Sequence, residues 1–142
     1  MTRGFARPVA VALIRRNDEI LVSEVPDPVK RVTGWRLPGG TIEFGERGRE
    51  TVVREIREEL DVEVVDVGYL GTVENIFTYL GVVGHDLVRV YSARFTEPRL
   101  YDQARFDCVE ANGAQFTCIW KPIADFRAGT PLYPDGLLEL IR

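Results

Sequence analysis

The sequence has few residues of the kinds that support thiol and imidazole chemistry. Its 142 residues include two cysteines, Cys108 and Cys118, without a CxxC pair, and one histidine, His85. So few cysteines argue against a disulfide framework, and we expect both to be reduced and structural. This usage is typical of a cytoplasmic protein.

An excess of positive charge is also absent. Lysine and arginine total 18 against 22 aspartates and glutamates, giving a net charge of −4. This balance argues against a nucleic-acid polymer or an anionic membrane as a partner bound by bulk electrostatics. A small anionic substrate remains compatible, provided that a metal ion supplies positive charge locally.

Long apolar runs are missing as well. No stretch approaches the ~20 apolar residues that a membrane-spanning helix needs, so we expect no membrane partner. The N-terminal stretch MTRGFARPVAVALIRRNDE becomes charged too soon for a signal peptide. The sequence therefore predicts a cytoplasmic location.

The composition that is present is that of an ordinary globular domain. Hydrophobic residues make up 45% and charged residues 28%, and we predict a single domain over 1–142. Apolar and β-branched runs predict strands, an apolar stripe predicts a helix, and prolines predict a loop. We predict strands over 9–14, 19–25, 62–73 and 116–123, two strands in 75–95 around a turn near 81–85, a loop over 26–34, and helices over 46–60 and 134–142. This order indicates α/β layers around a mixed sheet.

The predicted helix 46–60 carries an uneven distribution of charge. At about 100° per residue, its apolar residues form one stripe, and Glu55 and Glu59 lie together along one border of it. Glu58 follows one step further round, whereas Arg54 and Arg57 lie elsewhere on the wheel. Like charges four residues apart destabilise a helix, but a hard divalent cation would reverse that effect. A solvated helix face remains the alternative.

The loop before the helix strengthens the metal interpretation. Pro38-Gly39-Gly40 can turn sharply and expose backbone carbonyls, which are also ligands for hard metals. A glycine pair alone would more often be an ordinary turn.

The spacing of these residues resembles the Nudix box, Gly-x5-Glu-x7-Arg-Glu-U-x-Glu-Glu-x-Gly-U, where U is a bulky aliphatic residue. Eight of its nine fixed positions match within 40–62, namely Gly40, Glu46, Arg54, Glu55, Ile56, Glu58, Glu59 and Val62. Asp61 replaces the family's last glycine. We expect a left-handed conformation there, which Asp tolerates at a modest cost in stability.

The resemblance implies a Nudix-type α/β/α sandwich with a mixed β-sheet, which hydrolyses a diphosphate linked to another group X. It implies that Mg²⁺, or Mn²⁺, is held by Glu55, Glu58 and Glu59 with the Gly39 carbonyl. Glu46 would be a further ligand or would position the helix, and Arg54 would orient the glutamates by ion pairing.

The sequence indicates the general base and the substrate contacts less clearly than it indicates the metal ligands. Glu55 is the preferred base, and Glu110 and Asp107 are alternatives on a segment expected to be flexible. The residues expected to contact a nucleotide-type substrate are the cations Arg36, Lys30 and Arg31 and the turn residue His85.

The identity of X is left open by the sequence. A nucleoside triphosphate, including an oxidised one, or another nucleoside diphosphate derivative fits, and no SQPWPFPxS-like array is present. A Nudix-fold sensor that binds a nucleotide without cleaving it is the rival, although such domains usually lose box glutamates. Many such small domains form homodimers, but nothing in the sequence locates an interface.

Overall fold

The computed structural model describes residues 4–27 and 31–142. Its strands are β1 (Arg7–Arg16), β2 (Glu19–Asp27), β3 (Val32–Arg36), β4 (Gly39–Thr41), β5 (Val64–Tyr79), β6 (Val82–Phe95), β7 (Arg105–Val109), β8 (Gln115–Pro122) and β9 (Leu132–Tyr133). The helices are α1 (Gly48–Leu60) and α2 (Ile123–Arg127), with 3-10 turns at Pro98–Asp102 and Leu137–Leu140. None of the helices in these two ranges is long and apolar enough to cross a membrane.

The sheet is mixed because its central strand has both parallel and antiparallel neighbours. β1 runs parallel to β6 and antiparallel to β2 and β4. The main path of the sheet is β5-β6-β1-β2-β3-β9, while β8 joins β2 to β7. This architecture places β4, which carries Gly39 and Gly40, directly beside the centre of the sheet.

Two apolar layers cover the two faces of the sheet. Alternate residues of β1 point to opposite faces, because side chains in a strand alternate. Ala10, Ala12 and Ile14 pack with α1, and Val9, Val11 and Leu13 pack with α2 and the C-terminal turn. The α/β/α sandwich with a mixed sheet is therefore confirmed.

The segment predicted as a loop over 26–34 contains regular pairing, so that prediction was wrong. β2 continues to Asp27 and β3 begins at Val32, with Pro26 opposite Thr33. Pro26 lies beyond Ser23, the last residue of β2 paired with β8, and its carbonyl accepts a hydrogen bond from the Tyr79 hydroxyl. Its missing N–H therefore costs no ladder hydrogen bond, which is the position that strands allow to proline.

Three further predictions along the chain are corrected. Residues 64–79 form one long strand, and the turn lies at Leu80–Gly81, so His85 belongs to β6 opposite Ile76 rather than to a turn. Asp107, expected on a flexible segment, lies in β7, which pairs with β8. The predicted C-terminal helix is reduced to a 3-10 turn at Leu137–Leu140.

Helix α1 has well-defined ends. Its N-cap is Arg47, whose backbone N–H donates to the Glu50 carboxylate at 2.9 Å. Asp61 ends the helix with φ 57° and ψ 38°, and its N–H donates to the Arg57 carbonyl. The left-handed conformation expected at Asp61 is therefore confirmed.

Candidate active site

Close approach of β4 to its neighbours creates the site. A Cβ built on Gly39 would lie 2.2 Å from the Ala10 carbonyl oxygen of β1, and one built on Gly40 would lie 2.5 Å from the Glu55 carboxylate. A side chain at position 39 would collide with the backbone of β1, and one at position 40 would displace the Glu55 carboxylate. The glycine pair therefore allows β4 to lie close both to β1 and to the Glu55 carboxylate of α1.

Arg54 joins three of the box glutamates into one network. Its guanidinium donates to Glu46 at 2.7 and 2.9 Å, to Glu55 at 2.9 Å and to Glu58 at 3.2 Å. It also donates to the Thr41 carbonyl at 3.1 Å. The helical wheel set Arg54 apart from the glutamates, but its long side chain reaches them, in agreement with the ion pairing that the Nudix box implies.

Glu46 is the carboxylate most firmly held by this network. Hydrogen bonds from Arg54 and from Thr51, the latter at 2.6 Å, lower the pKa of Glu46 to about 2. Glu46 in turn raises the pKa of Arg54, so both groups stay charged at neutral pH. Their mutual pairing fixes the start of α1 against the strand β4.

Glu59 lies in the opposite electrostatic environment. Burial, followed by the charge of Glu55, raises the pKa of Glu59 to about 8, whereas Arg36 acts in the other direction. Its Oε1 atom is buried and accepts no hydrogen bond from the residues that the structure describes. Burial also raises the pKa of Glu55, against the effect of Arg54. A buried carboxylate oxygen without a partner is costly unless something else binds it.

These residues fit a hard divalent cation in their chemistry. Carboxylate and carbonyl oxygens are its preferred ligands, and the unsatisfied Oε1 of Glu59 lies beside a second carboxylate, Glu55. Within residues 4–27 and 31–142 no three acidic, cysteine or histidine side chains already form a ligand cluster. Arg54 instead occupies oxygens of Glu46, Glu55 and Glu58. The ligand roles of these residues and of Gly39 stay a prediction.

The residues predicted to contact substrate or act as base are dispersed. Arg36 lies near Glu59 and forms an ion pair with Glu110 at 3.0 Å. Arg31 is exposed, and Lys30 lies outside the described residues. His85 has a buried Nε2 without a hydrogen-bond partner in the described parts of the chain, and no hydrogen bond joins it to the glutamate network. Asp107 is exposed beside Arg105.

Sequence reasoning missed three contributors to the site. Thr51 is fully buried and supports Glu46, and its wheel position next to Glu55 was the available signal. The buried thiols of Cys108 and Cys118 are neighbours of Glu59. Their proximity comes from β7 packing against α1, which no local sequence pattern indicates.

Comparison with known proteins finds both sequence relatives and structural neighbours of this chain. The chain is 38% identical over 65 residues to the NAD-capped RNA hydrolase NudC of Pseudomonas aeruginosa, covering 46% of this chain and 23% of that protein. The match to NudC of Pseudomonas putida is 39% over 66 residues, with the same coverage. The chain thus spans about a quarter of the length of the curated relatives that it matches.

Solved structures match more of the chain. The MutT NUDIX hydrolase from Burkholderia pseudomallei superposes with a TM-score of 0.62 at 26% identity, covering 84% of this chain and 85% of that one. The E. coli ORF135 protein gives 0.59 at 22% identity, covering 95% and 85%, which shows a shared fold. The family model described as NUDIX domain matches residues 5–131. The chain therefore belongs to the Nudix hydrolase family.

Proposed function

We propose that this protein hydrolyses the diphosphate linkage of a nucleoside diphosphate joined to another group, with a divalent cation, Mg²⁺ or Mn²⁺, as cofactor. The observation that carries the proposal is the buried Oε1 of Glu59, which has no hydrogen-bond partner among the described residues and lies beside Glu55 on one face of α1. Keeping two carboxylates together in a desolvated position opposes stability unless a cation binds there. Such an arrangement is typical of a functional site.

Each acidic residue of the box has a proposed task. Glu55, Glu58, Glu59 and the Gly39 carbonyl would hold the cation, and Glu46 would anchor the helix or serve as a further ligand. The bound cation would offset the negative charge of the diphosphate and lower the pKa of a bound water. The protein itself mainly positions these groups.

Arg54 is proposed as a positioning residue. Its planar fork makes hydrogen bonds to Glu46, Glu55 and Glu58 at once, which restricts their rotamers. Because Glu46 is held more tightly than Glu58, which remains exposed, Glu58 is freer to turn toward a cation.

Glu55 is the proposed general base. It is half-buried and lies directly over Gly40, beside Glu59, so a water in the site would be within its reach. Glu110 is engaged by Arg36, and Asp107 is exposed on β7, which makes them weaker candidates.

The proposed substrate is a small nucleotide-type molecule. Arg36 is the best placed of the predicted phosphate contacts, because it interacts with Glu59 from β3. Arg31 and His85 remain proposals without a hydrogen bond or ion pair to the glutamates among the described residues, and Lys30 remains a proposal from the sequence. We also propose a cytoplasmic location, since Cys108 and Cys118 are free thiols.

A substrate panel tests the proposal. It would contain nucleoside triphosphates, their oxidised forms, nucleoside diphosphate sugars and NAD, each with Mg²⁺ or Mn²⁺, and phosphate-containing products would be quantified. NAD-capped RNA belongs in the panel because matched relatives bear the name NAD-capped RNA hydrolase. We expect turnover of at least one small nucleotide, and about a 100-fold or greater loss in Glu59→Gln.

Glu63→Gln is the matched control, because Glu63 is an exposed glutamate just beyond α1 that pairs with Arg57. Its turnover should equal that of the unmodified protein. Equal turnover in Glu59→Gln would contradict the metal assignment, and the loss of Mn²⁺ binding measured by electron paramagnetic resonance checks it independently of catalysis. Tight binding of one panel member without turnover of any would support the sensor alternative.

A further inference from the structure

A second concave region lies away from the glutamates, beneath the N-terminus of α1. It is a cavity of about 350 Å³ lined by Arg47, Gly48, Arg49, Tyr69, Arg89 and Tyr91. At a rise of about 1.5 Å per residue, Gly48 is about 10 Å along the helix from Glu55 and about 17 Å from Glu59. The Glu46 carboxylate, although adjacent in the chain to Arg47, is held by Arg54 and Thr51 and does not line the cavity. The floor of the cavity is formed by β5 and β6. In the sheet, β5 is separated from β4 by β6 and β1. The cavity is therefore distinct from the candidate active site.

The lining of this cavity is positively charged, although the whole chain has a net charge of −4. It contains three arginines and no carboxylate. Arg49 forms no ion pair within the described residues, and the contact of Arg47 with Glu50 is long, at 3.9 Å. Several other surface arginines pair with carboxylates at shorter distances, for example Arg57 with Glu63 at 2.7 Å and Arg99 with Glu97 at 2.7 Å. The cavity thus concentrates guanidinium groups that are not neutralised by the protein.

Arg89, an exposed residue of β6, contacts two tyrosines in the floor of the cavity. Its guanidinium lies 4.6 Å from the centroid of the Tyr69 ring, and its Nε donates to the Tyr91 hydroxyl at 3.1 Å. Tyr91 is buried, and its hydroxyl lies where a side chain on Gly48 would be. The terminal nitrogens of Arg89 make no hydrogen bond to any described residue, so a planar fork of donors is pre-positioned and unused. Pre-positioned groups lower the entropic cost of binding a ligand.

The N-terminus of α1 adds to the positive electrostatic potential of the cavity. Helix N-termini carry partial positive charge and attract anions. The N–H groups of Gly48 and Arg49 form no hydrogen bond within the described parts of the chain, and both residues line the cavity. Three guanidinium groups with these amides are suited to a phosphate group.

We propose that this cavity binds the phosphate of a mononucleotide-sized ligand, as a second site separate from the glutamates. The volume suits a small ligand, since binding pockets generally begin at about 300 Å³. Arg49, Arg89 and the α1 amides bind the phosphate, and the half-exposed ring of Tyr69 contacts the organic part of the ligand. This site requires no metal ion, in contrast to the acidic one.

The test is a titration of the protein with AMP in the presence of EDTA, followed by calorimetry and by the NMR shifts of the Tyr69 and Tyr91 ring protons. Removing divalent cations leaves the glutamate face repulsive to phosphate. We expect saturable binding of AMP that shifts both tyrosines, much weaker binding of inorganic phosphate, and none of adenosine. Arg89→Gln and Arg49→Gln should each weaken the AMP Kd about tenfold or more.

Arg99→Gln is the control, because Arg99 is an exposed arginine on a 3-10 turn that pairs with Glu97 and lies outside the cavity. Its AMP Kd should match that of the unmodified protein. Arg49 is exposed on the helix surface, so its variant keeps the fold even if Arg89→Gln does not. Absence of AMP binding, an unchanged Kd in both cavity variants, shifts confined to the region of Gly39 and Gly40, or equal affinity for inorganic phosphate would each overturn the proposal.

Discussion

The carboxylate of Glu55 occupies the space that a side chain on residue 40 would fill. A Cβ added to Gly40 would approach it to 2.5 Å, closer than atoms of real side chains come. Because residue 40 has no side chain, the Glu55 carboxylate can lie directly against β4. The position of Glu55 in the site is therefore set by a glycine 15 residues earlier in the chain.

Gly40→Ala should displace Glu55 and lower turnover by about 10-fold or more, with a loss of about 1–3 kcal/mol in the free energy of unfolding from overpacking. Turnover and urea denaturation measure the two effects. Gly4→Ala is the control, because a Cβ there meets no atom within 4 Å. Equal effects of the two substitutions would show that the contact with Glu55 has no importance.

Arg54→Lys should lower kcat while the charge is kept, because an ammonium group cannot bond Glu46, Glu55 and Glu58 simultaneously as the guanidinium does. We expect a loss of stability of about 1–3 kcal/mol, since Arg54 is only 22% exposed and its hydrogen bonds are charge-assisted. Arg57→Lys, on the exposed side of the same helix, should leave both quantities nearly unchanged. A kcat in Arg54→Lys equal to that of Arg57→Lys would contradict the positioning role.

The stability of the metal-free protein should fall as pH rises from about 4.5 to about 8. The pKa of Glu59 is raised to about 8 from its ordinary value of 4.5, so in this window the folded chain retains a proton that the unfolded chain has released. Unfolding therefore becomes easier as pH increases. Thermal denaturation of the protein in EDTA across this range measures the effect.

Glu59→Gln is the comparison for that measurement, because it removes the titrating group and keeps the shape. Its stability should depend less on pH between 4.5 and 8 and should exceed that of the unmodified protein at pH 8. Glu46 should affect the pH dependence of stability in the opposite direction. Its pKa is lowered to about 2, so its stabilising contribution is present above pH 4.5 and is lost as pH falls toward 2. Parallel pH profiles of Glu59→Gln and the unmodified protein would show that Glu59 does not titrate in this window.

Asp61→Gly should raise the free energy of unfolding by about 0.5–1 kcal/mol, because residue 61 has φ 57° and glycine adopts this conformation without strain. Asp61→Ala should lower the free energy of unfolding, because alanine has a Cβ, unlike glycine, and lacks the polar side chain of Asp. Urea denaturation distinguishes the two, and kcat should be unchanged in Asp61→Gly. A lower stability of the glycine variant would contradict the strain assigned to Asp61.

The sequence predicted the helix α1, which carries the box glutamates Glu55, Glu58 and Glu59, better than it predicted the sheet around it. The Nudix-box spacing and the helical period gave α1 within two residues of its observed start, and the left-handed end at Asp61 followed from the position of the missing glycine. Both are local properties of the chain, which short-range steric rules determine. The fold class followed from the order of the elements.

What the sequence missed depends on long-range contacts. Pro26 was taken as a breaker, yet it lies on a stretch of β2 that pairs only with β3 among the described strands. Arg54 was assigned away from the glutamates because a wheel records directions at Cα and ignores side-chain length. The neighbours of Glu59 on β7 and β8, Cys108 and Cys118, come from tertiary packing alone.

Placement of three box glutamates on one helix, with Glu46 just before it, has a consequence for insertions and deletions. Adding one residue within α1 would rotate everything after it by about 100° and shift it by about 1.5 Å, separating Glu55 and Glu59 from Gly40. A residue added in the turn at Leu80–Gly81 would leave these spacings intact. Length variation among natural or designed variants should therefore be tolerated at the hairpin tips and eliminated between residues 40 and 59.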